Sequence, residues 1–125
     1  MKMLIVDDSK PVRTLLAFIA REASFVTAEA ADGREALNVL IRNDPREPFA
    51  VALVDWEMPL MNGLEFVRAV RRNRDFAGLK LLMVTTLDTS DRVAEALAAG
   101  ADDFLMKPVT QEMVLEKLQI LGLID

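Results

Sequence analysis

The feature that most constrains this chain is an alternation. Four short, unbroken apolar runs, Met3-Leu4-Ile5-Val6, Val51-Ala52-Leu53-Val54, Leu81-Leu82-Met83-Val84 and Phe104-Leu105-Met106, are separated by longer stretches of helical periodicity. Runs of this length bounded by polar residues read as strands buried on both faces of a parallel sheet. Phe25-Val26-Thr27-Ala28 is a weaker fifth strand, suited to an edge. In the first helical stretch Val12, Leu15, Leu16 and Ile19 follow i, i+3, i+4, i+7, with Pro11 placed for the first helical position. Ala36, Leu37, Leu40 and Ile41 repeat the pattern, and Leu64, Val67 and Val70 give a sparser version. Val93, Ala96 and Leu97 follow a capping stretch, Asp88-Thr89-Ser90, and stop at Gly100; Val114, Leu118 and Leu121 follow Thr110.

Five strands alternating with five helices predict a (βα)5 α/β fold, with helices on both faces of an open parallel sheet. Right-handed crossovers leave few topologies, and the flavodoxin-like order 2-1-3-4-5 is the expected one. A length of 125 residues suits one domain spanning 1–125, and neither a linker nor an output domain is expected. No apolar run approaches the roughly 20 residues of a membrane helix, and the apolar start is too short for a signal peptide. The expectation is therefore a cytoplasmic protein with no membrane partner. The chain has no cysteine and no histidine, which excludes a thiolate nucleophile, a zinc cluster, a Ser-His-Asp triad and a phosphohistidine of its own. A net charge of −5 opposes nucleic-acid binding. Arg68, Arg71, Arg72 and Arg74 are read as a solvated helix face rather than a binding patch.

In an open α/β sheet, ligands bind beyond the carboxyl ends of the strands. Those ends carry Asp7-Asp8 after the first strand, Asp55 after the third, Thr85-Thr86 after the fourth and Lys107 after the fifth. In the expected order Asp7, Asp8 and Asp55 converge, with a hydroxyl and an ammonium opposite. Three close carboxylates repel one another, and a hard divalent cation relieves that repulsion. Mg2+ fits because it takes a few carboxylates, keeps waters and leaves room for a phosphoryl oxygen. Lys107 pairs with Asp55 at rest and then with a phosphate on it, while Thr85 bonds a second phosphate oxygen. These are the parts for receiving a phosphoryl group. Taken singly, each residue has a duller reading: Asp8 or Ser9 as a helix cap, Thr85 as a buried strand residue, Lys107-Pro108 as a strand exit. It is their joint placement that favours the functional one.

The segments "LIVDDS", "LVDWEMPLMNG", "LLMVTT" and "FLMKP" resemble the four signatures of the response-regulator receiver domain of two-component signalling, and the layout is similar to that of single-domain chemotaxis receivers. The strand order is a known property of that family and so adds no independent support. The resemblance implies that Asp55 is the phosphoryl acceptor and that Asp7 and Asp8 are the acidic Mg2+ pair, Asp8 as direct ligand and Asp7 partly through water. It further implies that the backbone carbonyl of Glu57 is a third ligand, Mn2+ a substitute metal, Lys107 the motif lysine preceding a cis bond to Pro108, and Thr85 and Phe104 the switch pair. Gly63 suits the turn into the third helix. The donor is a histidine kinase or phosphotransfer protein, consistent with the absence of histidine here. The output is a protein contact on the face formed by the fourth helix, fifth strand and fifth helix. The molecule is expected to be a monomer that dimerises, if at all, on phosphorylation.

Three residues depart from the family pattern. Phe104 stands where tyrosine is frequent, so it packs and rotates but offers no hydroxyl. Glu57 adds a carboxylate beside the metal site, free to repel water, contact the metal or pair with a basic residue. Leu87 puts an apolar side chain where hydrolysis is tuned, and Glu57 and Leu87 together are expected to prolong the phosphorylated state. Two other readings remain: a degenerate receiver acting only in docking, and a haloacid-dehalogenase-like phosphohydrolase with Glu57 as its second acid. A protein that catalyses its own phosphorylation and dephosphorylation is not a conventional enzyme in either direction.

Overall fold

The computed structural model describes residues 1–86 and 90–125. The elements run β1 (Lys2–Val6), α1 (Lys10–Glu22), β2 (Val26–Ala30), α2 (Gly33–Arg42), β3 (Phe49–Asp55), α3 (Gly63–Arg72), a short 3-10 turn (Arg74–Phe76), β4 (Lys80–Thr85), α4 (Ser90–Ala99), β5 (Asp103–Met106) and α5 (Gln111–Ile120). All the strand pairings are parallel, and the order is β2-β1-β3-β4-β5, as expected from the alternation.

Because side chains alternate across a strand, a sheet covered on both faces needs apolar residues at consecutive positions. Met3, Ile5, Val51, Leu53, Leu82, Val84 and Leu105 pack on one face with Leu16, Ile19, Val114 and Leu118 of α1 and α5. Leu4, Val6, Ala52, Val54, Leu81 and Met83 pack on the other with Ala36, Leu40, Phe66, Val67, Val70 and Ala96 of α2, α3 and α4. This double burial is the reason the central runs carry no polar residue until the strand ends.

Three details differ from the sequence reading. The edge strand is Val26–Ala30 rather than a run from Phe25 to Ala28, because its pairing with β1 continues to Val6↔Ala30 through Glu29, whose charge breaks the apolar pattern. On α1 the buried strip is Leu16, Ala17, Ile19 and Ala20, which turns Leu15 to solvent at 48% exposure; Ile41 and Leu97 are likewise exposed. The arginine stretch is not one solvated face. Arg71 turns inward and donates to the carbonyls of Gly100, Phe76 and Leu79 and to Asp102 Oδ2 at 2.8–3.2 Å. Its guanidinium thereby joins the C-terminal end of α4 to the start of β4. The expected cap in Asp88-Thr89-Ser90 includes residues outside those described, whereas Ser9, Asn62 and Thr110 cap α1, α3 and α5 with their side chains. Gly100 follows α4 with φ +117°, a conformation that favours glycine.

Candidate functional site

Asp7 and Asp8 follow the last residue of β1, Asp55 ends β3, Thr85 ends β4 and Lys107 follows β5. The register sets these ends level: Val6 pairs with Val54, Asp55 with Val84, and Thr85 with Met106. One carboxylate oxygen from each of Asp7, Asp8 and Asp55 lies within 4.8 Å of the others. Asp7, Asp55 and Thr85 are the buried polar residues of the described chain, whereas Asp8 reaches solvent.

Lys107 Nζ sits between two of these carboxylates, 3.2 Å from Asp7 Oδ2 and 3.3 Å from Asp55 Oδ1. The Lys107 backbone N–H donates to the Thr85 carbonyl at 2.8 Å, which holds lysine and threonine on adjacent strand exits. The peptide bond from Lys107 to Pro108 is cis, as the resemblance implied. Asp7 is fixed further by the Ser9 N–H, which donates to its Oδ1 at 2.9 Å, and by Arg13 Nη1, which donates to its carbonyl at 2.7 Å.

Burial, with the negative charge of Asp7 added, pushes the Asp55 carboxyl up to about 6 against the opposing pull of Lys107. Burial works to lower the pKa of Lys107, but Asp55 and Asp7 outweigh it and raise the pKa, so the ammonium stays charged. One lysine for three carboxylates leaves the pocket short of positive charge. Three oxygen donors crowded within ligand reach, two of them on buried residues, suit a hard divalent cation such as Mg2+.

The wall behind Asp55 is built by close approach. The Gly63 N–H donates to the Trp56 carbonyl at 2.8 Å, and a Cβ on Gly63 would lie 2.4 Å from the Asp55 carbonyl oxygen. Only glycine lets α3 start there. Asn62 and Glu65 complete a capping box on that helix, so the loop from Trp56 to Asn62 is anchored at both ends. Trp56 is buried, and Glu57 is exposed and pairs with Arg92 of α4 at 3.6 Å. Pairing with a basic residue, one of the three fates open to Glu57 in the sequence, is thus present. Phe104 is half-buried, with the Lys117 ammonium 5.6 Å from its ring centroid. Leu87 lies outside the described residues.

The structure therefore brings together Asp7, Asp8, Asp55 and Lys107, with Thr85 bonded through its backbone to the same exit. Nothing in the sequence marks Arg13 or Arg92 as neighbours of the acceptor region. Arg13 lies one turn beyond Ser9, a position that faces β1 only once the helix is docked, and nothing in the sequence pairs Arg92 with Glu57.

Fold and site together define a flavodoxin-like α/β protein with an acidic, lysine-containing pocket at the carboxyl edge of its sheet. Residues 3–119 match the family model of the response regulator receiver domain. The chain is 38% identical over 124 residues to a chemotaxis protein CheY homolog of Campylobacter jejuni, covering 98% of this chain and 93% of that one. It is also 38% identical to the chemotaxis protein CheY of Pseudomonas aeruginosa, covering 95% and 94%. The structure of chemotaxis response regulator CheY4 of Vibrio cholerae superposes with a TM-score of 0.87 at 37% identity, covering 96% and 97%. A chain of the CheX-CheY-BeF3-Mg+2 complex from Borrelia burgdorferi does so with a TM-score of 0.89 at 26% identity, covering 98% and 89%. This chain belongs to the response regulator receiver family.

Proposed function

We propose that this receiver takes a phosphoryl group from the phosphohistidine of a histidine kinase or phosphotransfer protein onto Asp55 and signals through the α4-β5-α5 face. The observation that carries the reading is Lys107, held between Asp55 and Asp7 in a pocket with one cation for three carboxylates. A docking module has no use for such a costly cluster.

Asp7, Asp8 and Asp55, with the carbonyl of Glu57, are the groups to hold Mg2+, or Mn2+ in its place; the metal, when bound, neutralises charge on the transferred group. In the step itself an Asp55 carboxylate oxygen forms the bond to phosphorus as the bond to the donor's imidazole nitrogen breaks, and the imidazole leaves. Lys107 exchanges its contact with the Asp55 carboxylate for one with the phosphoryl oxygens. Thr85 donates to another of them, and Phe104 turns into the space vacated. The repacking spreads to α4, β5 and α5, a bistable change with a local trigger. Attack by water on the acyl phosphate returns Asp55 and inorganic phosphate. We place the reaction in the cytoplasm, carried out by a monomer that dimerises, if at all, when phosphorylated.

Trp56, buried and adjacent to Asp55, is the reporter. With Mg2+ present, acetyl phosphate or beryllofluoride changes its fluorescence in the wild type, and Asp55→Asn abolishes the donor-dependent change. A mutant that responds as the wild type does contradicts the assignment.

A further inference from the structure

Arg92 links α4 to the loop that carries the acceptor. Its guanidinium lies 3.6 Å from Glu57 Oε1 and 5.6 Å from the ring centroid of Trp56, the two residues that follow Asp55. One turn further along α4, Glu95 reaches Arg68 of α3 at 3.7 Å. Trp56, Glu57, Met58, Asn62, Leu64, Arg92 and Glu95 line a shallow cavity of about 450 Å3 beside the acceptor loop. Glu57 is 68% exposed at its side chain, and among the described residues its ion pair is with Arg92.

We infer that Arg92 is a positioning residue that holds the Glu57 carboxylate against α4 and so weakens the pull of the acidic pocket on a divalent cation. The inference rests on the reading of that pocket as a cation site. A carboxylate two residues from Asp55 adds negative potential to a cluster that already has one lysine for three carboxylates. Pairing with Arg92 cancels that potential and keeps the side chain turned away. By reciprocity, a cation that attracts Glu57 loosens its hold on Arg92, and the N-terminal half of α4 is released from the acceptor loop. The same ion that prepares the pocket thus weakens a tether on a helix of the proposed output face.

The test is a Mg2+ titration of the wild type, Arg92→Gln, Glu57→Gln and the double variant, followed by Trp56 fluorescence and by calorimetry. Exposed ion pairs couple weakly, so Arg92→Gln tightens Mg2+ binding about two- to five-fold, and Arg92→Lys restores affinity near the wild type. In the Glu57→Gln background the effect of Arg92→Gln falls by at least half, and concentrated KCl shrinks it further. Amide exchange across residues 90–99 rises on adding Mg2+ to the wild type, and is already high without it in Arg92→Gln. An unchanged Mg2+ affinity in Arg92→Gln, or an effect of equal size without Glu57, overturns the inference while the wild-type response leaves the pocket reading standing. A wild type that binds no Mg2+ overturns both.

Discussion

Asp55 carries a conflict that its protonation state reveals. Its carboxyl titrates near 6 in the fold against an ordinary 3.8, so the folded state binds a proton more tightly than the unfolded chain. The stabilisation from that proton is complete below about pH 4 and is lost as pH rises through 6. At neutral pH the ion-free protein therefore carries an ionised group it would rather not hold. Asp55→Asn removes that burden. In EDTA its stability gain over the wild type is on the order of 1–3 kcal/mol at pH 8 and largely disappears by pH 4, as thermal melts at both values will show. A gain that is equal at the two values contradicts the account. Added Mg2+ reverses the ranking at pH 8, because only the wild type retains all three carboxylates. The identity of this group was legible in the sequence, since a charged residue ends an otherwise apolar central strand. Its raised pKa was not, because that depends on Asp7 arriving from another strand and on how far both are buried.

Among the elements, α3 and α4 are held by arginines that look interchangeable in sequence and are not. Arg71 satisfies three backbone carbonyls and Asp102, with its side chain 21% exposed, whereas among the described residues Arg68 pairs with Glu95 at 3.7 Å, both side chains about half exposed. Losing Arg71 leaves three part-buried carbonyls without their donor, so Arg71→Ala lowers stability by about 1–3 kcal/mol in urea unfolding, while Arg68→Ala changes it by less than about 0.5 kcal/mol. Comparable losses in the two variants contradict this distinction. Gly63→Ala tests the other anchored element. Its Cβ would meet the Asp55 carbonyl oxygen and Trp56 Cα, so the variant loses about 2 kcal/mol or more and also weakens Mg2+ binding by displacing Asp55. Helical periodicity located these helices but not their azimuth. Leu15, Ile41 and Leu97 fit the apolar spacing, yet the sheet covers the neighbouring strip in each case, and the inward turn of Arg71 depends on acceptors supplied by Gly100 and Leu79.

For the whole molecule, most of the architecture was legible because a sheet buried on both faces leaves little freedom in the sequence. Unbroken apolar runs marked β1, β3, β4 and β5, and in these four polar residues were confined to the strand ends, where the strand order brings Asp7, Asp8, Asp55 and Lys107 together. What lay beyond the sequence was lateral: the contact of Arg92 with Glu57, and the weight of Arg13 and Ser9 in fixing Asp7. The fold also sets how a local event spreads, since Thr85 and Lys107 share a backbone bond at the exits of β4 and β5, the strands that lead into the proposed output face. The proposed signalling depends on Asp55 being the phosphoryl acceptor. The most direct measurement is the intact mass of the protein after incubation with Mg2+ and acetyl phosphate, followed by peptide mapping under conditions that preserve acyl phosphates. The account predicts the gain of one phosphoryl group, mapped to Asp55, sensitive to EDTA and absent from Asp55→Asn. Undiminished uptake by Asp55→Asn, or a phosphoryl group mapped to another residue of the wild type, would contradict it.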